Sequence, residues 1–188
     1  MGKLSLYMIT SLDGFVADSD GQLNDYEPTD EEHSFANELF DSMYGVLFGR
    51  KTYQAFSDFW DSPMAIEPGS AAVQIEFARI FARLNRVVVS RTLSHVDANA
   101  RLIKSDLAKE VRQLKSSSGN DYALVCGAEL LATLVNERLV DEMLIMVRPI
   151  VMGQGTSLFG TLSSFLQLRL LHTRTFQSGV VLHHYAVM

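Results

Sequence analysis

Short apolar runs separated by amphipathic stretches set the pattern of this chain. Residues 3–9 are apolar and stop at Thr10-Ser11-Leu12-Asp13-Gly14, which predicts a first strand running into a turn. Residues 18–30 are rich in Asp, Gly, Asn and Pro and read as a loop able to close over the mouth of a domain. Thr29 offers a helix N-cap with Asp30, Glu31 and Glu32 in the first turn, and Phe35, Leu39, Phe40 and Met43 follow at helical spacing, so 30–42 is predicted helical. A strand over 44–48 ends at Gly49, and a new helix begins at Lys51 with Tyr53 and Phe56 as apolar positions.

Pro63 and Pro68-Gly69-Ser70 mark an irregular connection, followed by a helix over 71–84 and a valine-rich strand over 86–90. A helix over 106–116, a turn over 117–121 and a buried strand over 122–126 come next, the last stopping at Gly127. The remainder predicts a helix over 130–136, a strand over 142–148 closed by Pro149, a loop over 151–155, and strands over 168–176 and 180–187 around Gln177-Ser178-Gly179. Strands separated by helices imply an α/β fold with a mostly parallel sheet covered on both faces and an antiparallel pair at its C-terminal edge. That pair reads equally as an internal hairpin or as strands meeting across a dimer.

Composition narrows the function classes. A chain of 188 residues, 47% hydrophobic and 20% charged, is expected to form one globular domain over 1–188. A net charge of -6 argues against a general nucleic-acid surface, which needs clustered Lys and Arg. Cys126 is the only cysteine, so no intrachain disulfide and no cysteine-based metal cluster is expected, which suits a reducing cytoplasm. No apolar run approaches the roughly 18 residues needed to span a bilayer, and the first apolar stretch lacks the pattern of a signal peptide.

The chemistry gathers where strands end. Phe48-Gly49-Arg50-Lys51-Thr52, Val89-Ser90-Arg91-Thr92 and Val125-Cys126-Gly127-Ala128-Glu129 each follow a predicted strand, and ligands of parallel α/β sheets bind at such carboxyl ends. Gly49 and Gly127 would let a phosphate approach the backbone before a helix start. Arg50, Lys51 and Thr52 add two cations and a hydroxyl at a place where basic residues otherwise oppose the helix dipole. Ser90-Arg91 reads either as a site for the 2′-phosphate of NADPH or as a solvated strand end. The G-x-G-x-x-G fingerprint and the Walker pattern are both missing.

Asp13 has two readings, a functional carboxylate or an Asx-turn with Gly14. Glu31, Glu32 and His33 are candidate acids or bases, with helix capping and partial exposure as their plainer explanations. Met143, Met146 and Met152 are expected in the core, and Cys126 as a buried small residue.

Taken together, Ser11-Leu12-Asp13-Gly14-Phe15-Val16-Ala17, Phe48-Gly49-Arg50-Lys51-Thr52-Tyr53, Val88-Val89-Ser90-Arg91, Val125-Cys126-Gly127-Ala128 and Leu139-Val140-Asp141-Glu142 leading to Pro149-Ile150-Val151-Met152-Gly153-Gln154-Gly155 resemble the dihydrofolate-reductase-like superfamily. The resemblance is closest to its riboflavin-biosynthesis reductase branch and covers essentially the whole chain. It implies a three-layer α/β/α sandwich, NADPH as cofactor and a homodimer. It further implies that Gly49, Arg50, Lys51 and Thr52 hold the cofactor's phosphates, that Ser90 and Arg91 hold the 2′-phosphate, and that Cys126, Gly127, Ala128, Glu129 and Leu130 surround the pyrophosphate. Ile9, Val16 and Ala17 would lie against the nicotinamide, and the place of Asp13 at the end of the first strand then makes it the candidate catalytic carboxylate. Two departures stand out: Ala128 where dihydrofolate reductases have a second glycine, and Cys126 where riboflavin-pathway reductases carry Glu.

The expectation is therefore an NADPH-dependent reductase delivering a hydride to a small pterin-like, pyrimidine-like, carbonyl or imine substrate, with no metal, nucleic acid or membrane involved. The alternative is a non-catalytic NADPH-binding sensor on the same scaffold.

Overall fold

The computed structural model describes residues 1–21, 26–117 and 119–188. Residues 22–25 of the predicted 18–30 loop, and Ser118 of the predicted 117–121 turn, lie outside the described residues. The chain divides into two compact units that interleave in sequence. The first comprises Met1–Gly2 and Pro28–Cys126, the second Lys3–Glu27 and Gly127–Met188.

The first unit holds α1 (Asp30–Ser42), β3 (Gly45–Gly49), α2 (Arg50–Trp60), α3 (Ala72–Arg83), β4 (Asn85–Val89), β5 (Ala100–Ile103), α4 (Leu107–Ser116) and β6 (Tyr122–Val125). Its strands run parallel in the order β5-β4-β3-β6. Helix α1 starts where its sequence signals it: Thr29 Oγ1 accepts from the Glu32 amide at 3.4 Å and Glu32 Oε2 accepts from the Thr29 amide at 3.2 Å, a reciprocal capping box. Each of α1 and α3 turns one ring into their shared seam, Phe40 on Phe77 edge-to-face at 5.3 Å. Phe48, wholly buried in β3, meets Phe56 of α2 and Phe81 of α3 at 5.3 and 6.2 Å, so one strand residue anchors two helices.

Arg86 is the polar exception in this core. Its side chain is 1% exposed, and its two terminal nitrogens donate to Asp61 Oδ2 and Oδ1 at 2.5 and 2.8 Å, just past the end of α2. It also donates to the Phe81 carbonyl at 3.0 Å and lies 3.8 Å from that ring's centroid. One buried cation therefore binds the ends of two helices to β4.

The second unit holds β1 (Leu4–Thr10), β2 (Phe15–Ala17), α5 (Ala128–Asn136), β7 (Glu142–Val147), β8 (Thr156–Ser157), β9 (Leu168–Thr175) and β10 (Val181–Val187). β1 runs parallel to β7, β10 lies antiparallel to β7, and β9 lies antiparallel to β10. The terminal strands thus form a hairpin within the chain. Asp141 pins the β1–β7 register, its carboxylate accepting from the Leu4 amide at 2.7 Å and its own amide donating to the Leu4 carbonyl at 2.9 Å. Next to it, Glu142 accepts from Lys3 and contacts His184 Nε2, at 2.6 and 2.9 Å. Burial pushes the Glu142 carboxyl up, but Lys3 and His184 together outweigh it and hold it below its ordinary value.

Two elements had no reading in the sequence, and one helix start needs correction. The strand β5 was not legible, because only Leu102 and Ile103 of its four residues are large apolar ones and it is an edge strand. The two-strand ribbon β2–β8 joins residues far apart in sequence and has too few residues to show a period. Helix α5 begins at Ala128, not Leu130, because Ala and Glu are strong helix formers that an apolar count overlooks. Among the described residues no helix is long and apolar enough to cross a membrane.

Candidate functional site

Parallel pairing in the first unit sets Gly49 opposite Val89, and Phe48 opposite Val125. The segments that follow β3, β4 and β6 therefore leave the sheet side by side. Seven predicted site residues, Gly49, Arg50, Lys51, Thr52, Ser90, Arg91 and Cys126, fall at this one edge.

Gly49 is the N-cap of α2 in extended conformation, with no side-chain cap and no acid in the first turn. The helix start thus has orphan amides and a positive dipole end. Arg50 donates one turn along the helix to Gln54 Oε1 at 3.4 Å, Lys51 is exposed and Thr52 is half-buried. Arg91 is exposed and makes no hydrogen bond or ion pair among the described residues.

Ser90 also shapes the local backbone. It is 6% exposed, and its hydroxyl accepts from the Thr92 and Leu93 amides at 3.2 and 3.1 Å, closing the turn that carries Arg91. Cys126 is buried and forms no disulfide, as expected for a small core residue. Sequence reasoning missed Tyr53 and Asp97. The Tyr53 phenol donates to the Asp97 carboxylate and accepts from the Asp97 amide at 3.1 Å, and only folding brings these two residues together.

In the second unit Gly127 is the N-cap of α5, again extended and without a side-chain cap. It is exposed, and a Cβ built on it would meet open space. Ala128 is buried, Glu129 exposed and Leu130 half-buried. An acid at position 129 suits the helix dipole but opposes a neighbouring anion.

Ile9 near the end of β1, and Val16 and Ala17 in β2, are half-buried. Asp13 lies between them in sequence and is held from three sides. Its carboxylate accepts from the Ser11 hydroxyl at 2.7 Å and from the Met152 and Gly153 amides at 3.1 and 2.8 Å. Ser11 is held in turn, its Oγ accepting from the Phe15 amide at 2.9 Å. Neither sequence reading of Asp13 foresaw this clamp across to the 151–155 loop. Met152, expected in the core, is half-exposed and acts through its amide, whereas Met143 and Met146 are wholly buried.

The Ser11 hydroxyl and the two amides lower the Asp13 pKa from 3.8 to about 2. A carboxyl so held carries no proton at neutral pH, so its chemistry is that of a fixed negative charge. The depressed pKa means that the clamp is fully formed above the unfolded value and weakens as pH falls from 3.8 towards 2. Carbon-detected NMR at pH 3.5 is expected to find Asp13 almost wholly ionised; a midpoint near 3.8 rules the clamp out.

Of the other candidate acids and bases, Glu32 has structural work. Glu32 is 1% exposed and belongs to the capping box, and burial lowers the pKa of half-buried His33 against the pull of Asp30 and Glu32. Arg148, at the end of β7, lies 4.1 Å over the Tyr26 ring. Among the described residues no cluster of His, Cys, Asp and Glu could hold a metal ion.

Comparison with known proteins gives this geometry its context. The chain is 32% identical over 181 residues to the uncharacterized protein YyaP of Bacillus subtilis (strain 168), covering 95% of this chain and 92% of that one. The RibD of Acinetobacter baumannii superposes with a TM-score of 0.74 at 16% identity, covering all of this chain and 58% of that one. The riboflavin biosynthesis reductase Rib7 of Saccharomyces cerevisiae superposes with a TM-score of 0.62 at 14% identity, over all of this chain and 90% of that one. These likenesses establish the mostly parallel, mixed α/β fold with its antiparallel hairpin. The RibD C-terminal domain family matches residues 3–182, and the chain belongs to that family.

Proposed function

We propose that this protein is an NADPH-dependent reductase acting on a pyrimidine-like heterocycle. The observation that carries the reading is the edge of the first unit, where an uncapped helix start with Arg50 and Lys51 adjoins a turn presenting Arg91 with no partner among the described residues. Family membership supports the reductase half of the reading, since a relative of the same fold is described as a riboflavin biosynthesis reductase.

The residues present fit the cofactor. Orphan amides at Gly49 and Gly127 suit phosphate oxygens, and open space above Gly127 leaves room for close approach. Arg50, Lys51 and Thr52 would hold phosphate charge, Arg91 the 2′-phosphate, and Ile9, Val16 and Ala17 the ring face. Ser90 serves by shaping the turn beneath Arg91. NADPH, when bound, supplies the hydride. The chain's own part is to bind, orient and exclude water. Asp13, ionised at neutral pH, holds the β1 end to the 151–155 loop and offers its charge to a substrate N–H, and solvent supplies the proton that completes reduction.

The test is to add NADPH and a panel of pyrimidine nucleotides, pterins and small carbonyls and follow oxidation of the cofactor. Turnover of a pyrimidine is expected, and NADPH binding without any turnover favours the sensor alternative. Arg91→Ala is expected to weaken NADPH binding about 10- to 100-fold while sparing NADH, as loss of a charge-assisted bond of roughly 1.5–3 kcal/mol requires. Equal losses for the two cofactors remove the 2′-phosphate assignment.

A further inference from the structure

Two anchors bound the loop that follows β4. At its start the Ser90 hydroxyl gathers the Thr92 and Leu93 amides. At its far end Asp97 turns the chain into β5, its carbonyl accepting from the Ala100 amide at 2.9 Å. Asp97 is also clasped by Tyr53, and this second anchor is long-range. Tyr53 lies one turn into α2 from Gly49 and is 5% exposed, with its ring 6.2 Å from that of Phe48. Its phenol donates to the Asp97 carboxylate and accepts from the Asp97 amide. Burial first, and then the bond to Asp97, raises the Tyr53 pKa, so the proton stays on the phenol and the donor is constant. Arg91 sits between the two anchors, exposed.

We propose that Tyr53 is a positioning residue for cofactor selectivity: its clasp on Asp97 ties the Arg91 loop to the first turn of α2 and keeps Arg91 ordered for the 2′-phosphate. The inference rests on the NADPH reading above and adds to it the device that makes Arg91 effective. A cation on a loose loop must be ordered at binding, and the cost of ordering is subtracted from affinity. The cost falls on NADPH alone, because NADH has no 2′-phosphate for Arg91 to meet.

The experiment titrates the full chain and its variants with NADPH and with NADH and compares the two dissociation constants. Tyr53→Phe and Asp97→Ala are each expected to weaken NADPH binding about five- to tenfold, the worth of one hydrogen bond, and to leave NADH within about twofold. Asp97→Asn keeps an acceptor for the phenol and restores most of the loss. Where Tyr53→Phe fails to fold, Asp97→Ala, at an exposed loop position, carries the same comparison. Wild-type preference for NADPH persisting undiminished in the variants overturns this inference alone, as does an equal weakening of both cofactors. A wild type that does not prefer NADPH overturns the cofactor reading, and the inference with it.

Discussion

Asp61→Ala is expected to destabilise the protein by about 3–5 kcal/mol, because it strands the Arg86 guanidinium inside the first unit. The Arg86 side chain is 1% exposed, and without Asp61 it keeps the Phe81 carbonyl and ring. Its Nε already lacks a hydrogen-bond partner, so the group has no slack to absorb the loss. Desolvation makes the pair costly to break yet of small net benefit, and Arg86→Met combined with Asp61→Ala should therefore recover most of the lost stability. Thermal unfolding would read the single variant as a drop of roughly 10 °C. An unchanged midpoint for Asp61→Ala would show that solvent, not Asp61, compensates Arg86.

Gly155→Ala is expected to have the second large effect. Gly155 adopts φ of 141°, which an L side chain rarely takes, and a Cβ there would run into the Ala17 carbonyl oxygen at the β2–β8 ribbon. The backbone must shift, at a cost of about 1–3 kcal/mol for the strained conformation before the collision is counted. The shift should reach further, because residues 152 and 153 of the same loop supply the amides that hold Asp13. The variant should thus lose stability and also show the Asp13 pKa returning from about 2 towards 3.8. Retention of the low pKa in a destabilised variant would uncouple the ribbon from the clamp.

Local elements were readable because their causes are local. Thr29 and Glu32 are three residues apart and satisfy each other's backbone partners, so the start of α1 follows from short-range chemistry. β3 and β6 are continuous apolar runs ending at or just before a glycine, and the helices after them follow from the spacing of large side chains. β5 was not readable, since as a short edge strand its pairing with β4 does more to define it than its own residues do.

The site divides along the same line. Its residue types and their places after strand ends were visible in the chain, because a parallel sheet sends successive strand ends to one edge. Their actual partners were not. Asp13 meets amides 139 and 140 residues away, and Tyr53 meets a carboxylate 44 residues away. The Ser90 hydroxyl accepts from near neighbours, but burial decided that it turns inward.

Hydrophobic period and helix-end chemistry, both properties of neighbouring residues, were enough to lay out alternating strands and helices and the segments that carry charge. Folding alone chose which distant groups meet: the Arg86–Asp61 pair, the Tyr53–Asp97 clasp and the cage that strips Asp13 of its proton. Those choices depend on burial and on hydrogen bonds between segments brought together by the sheet, and no window of adjacent residues contains that information.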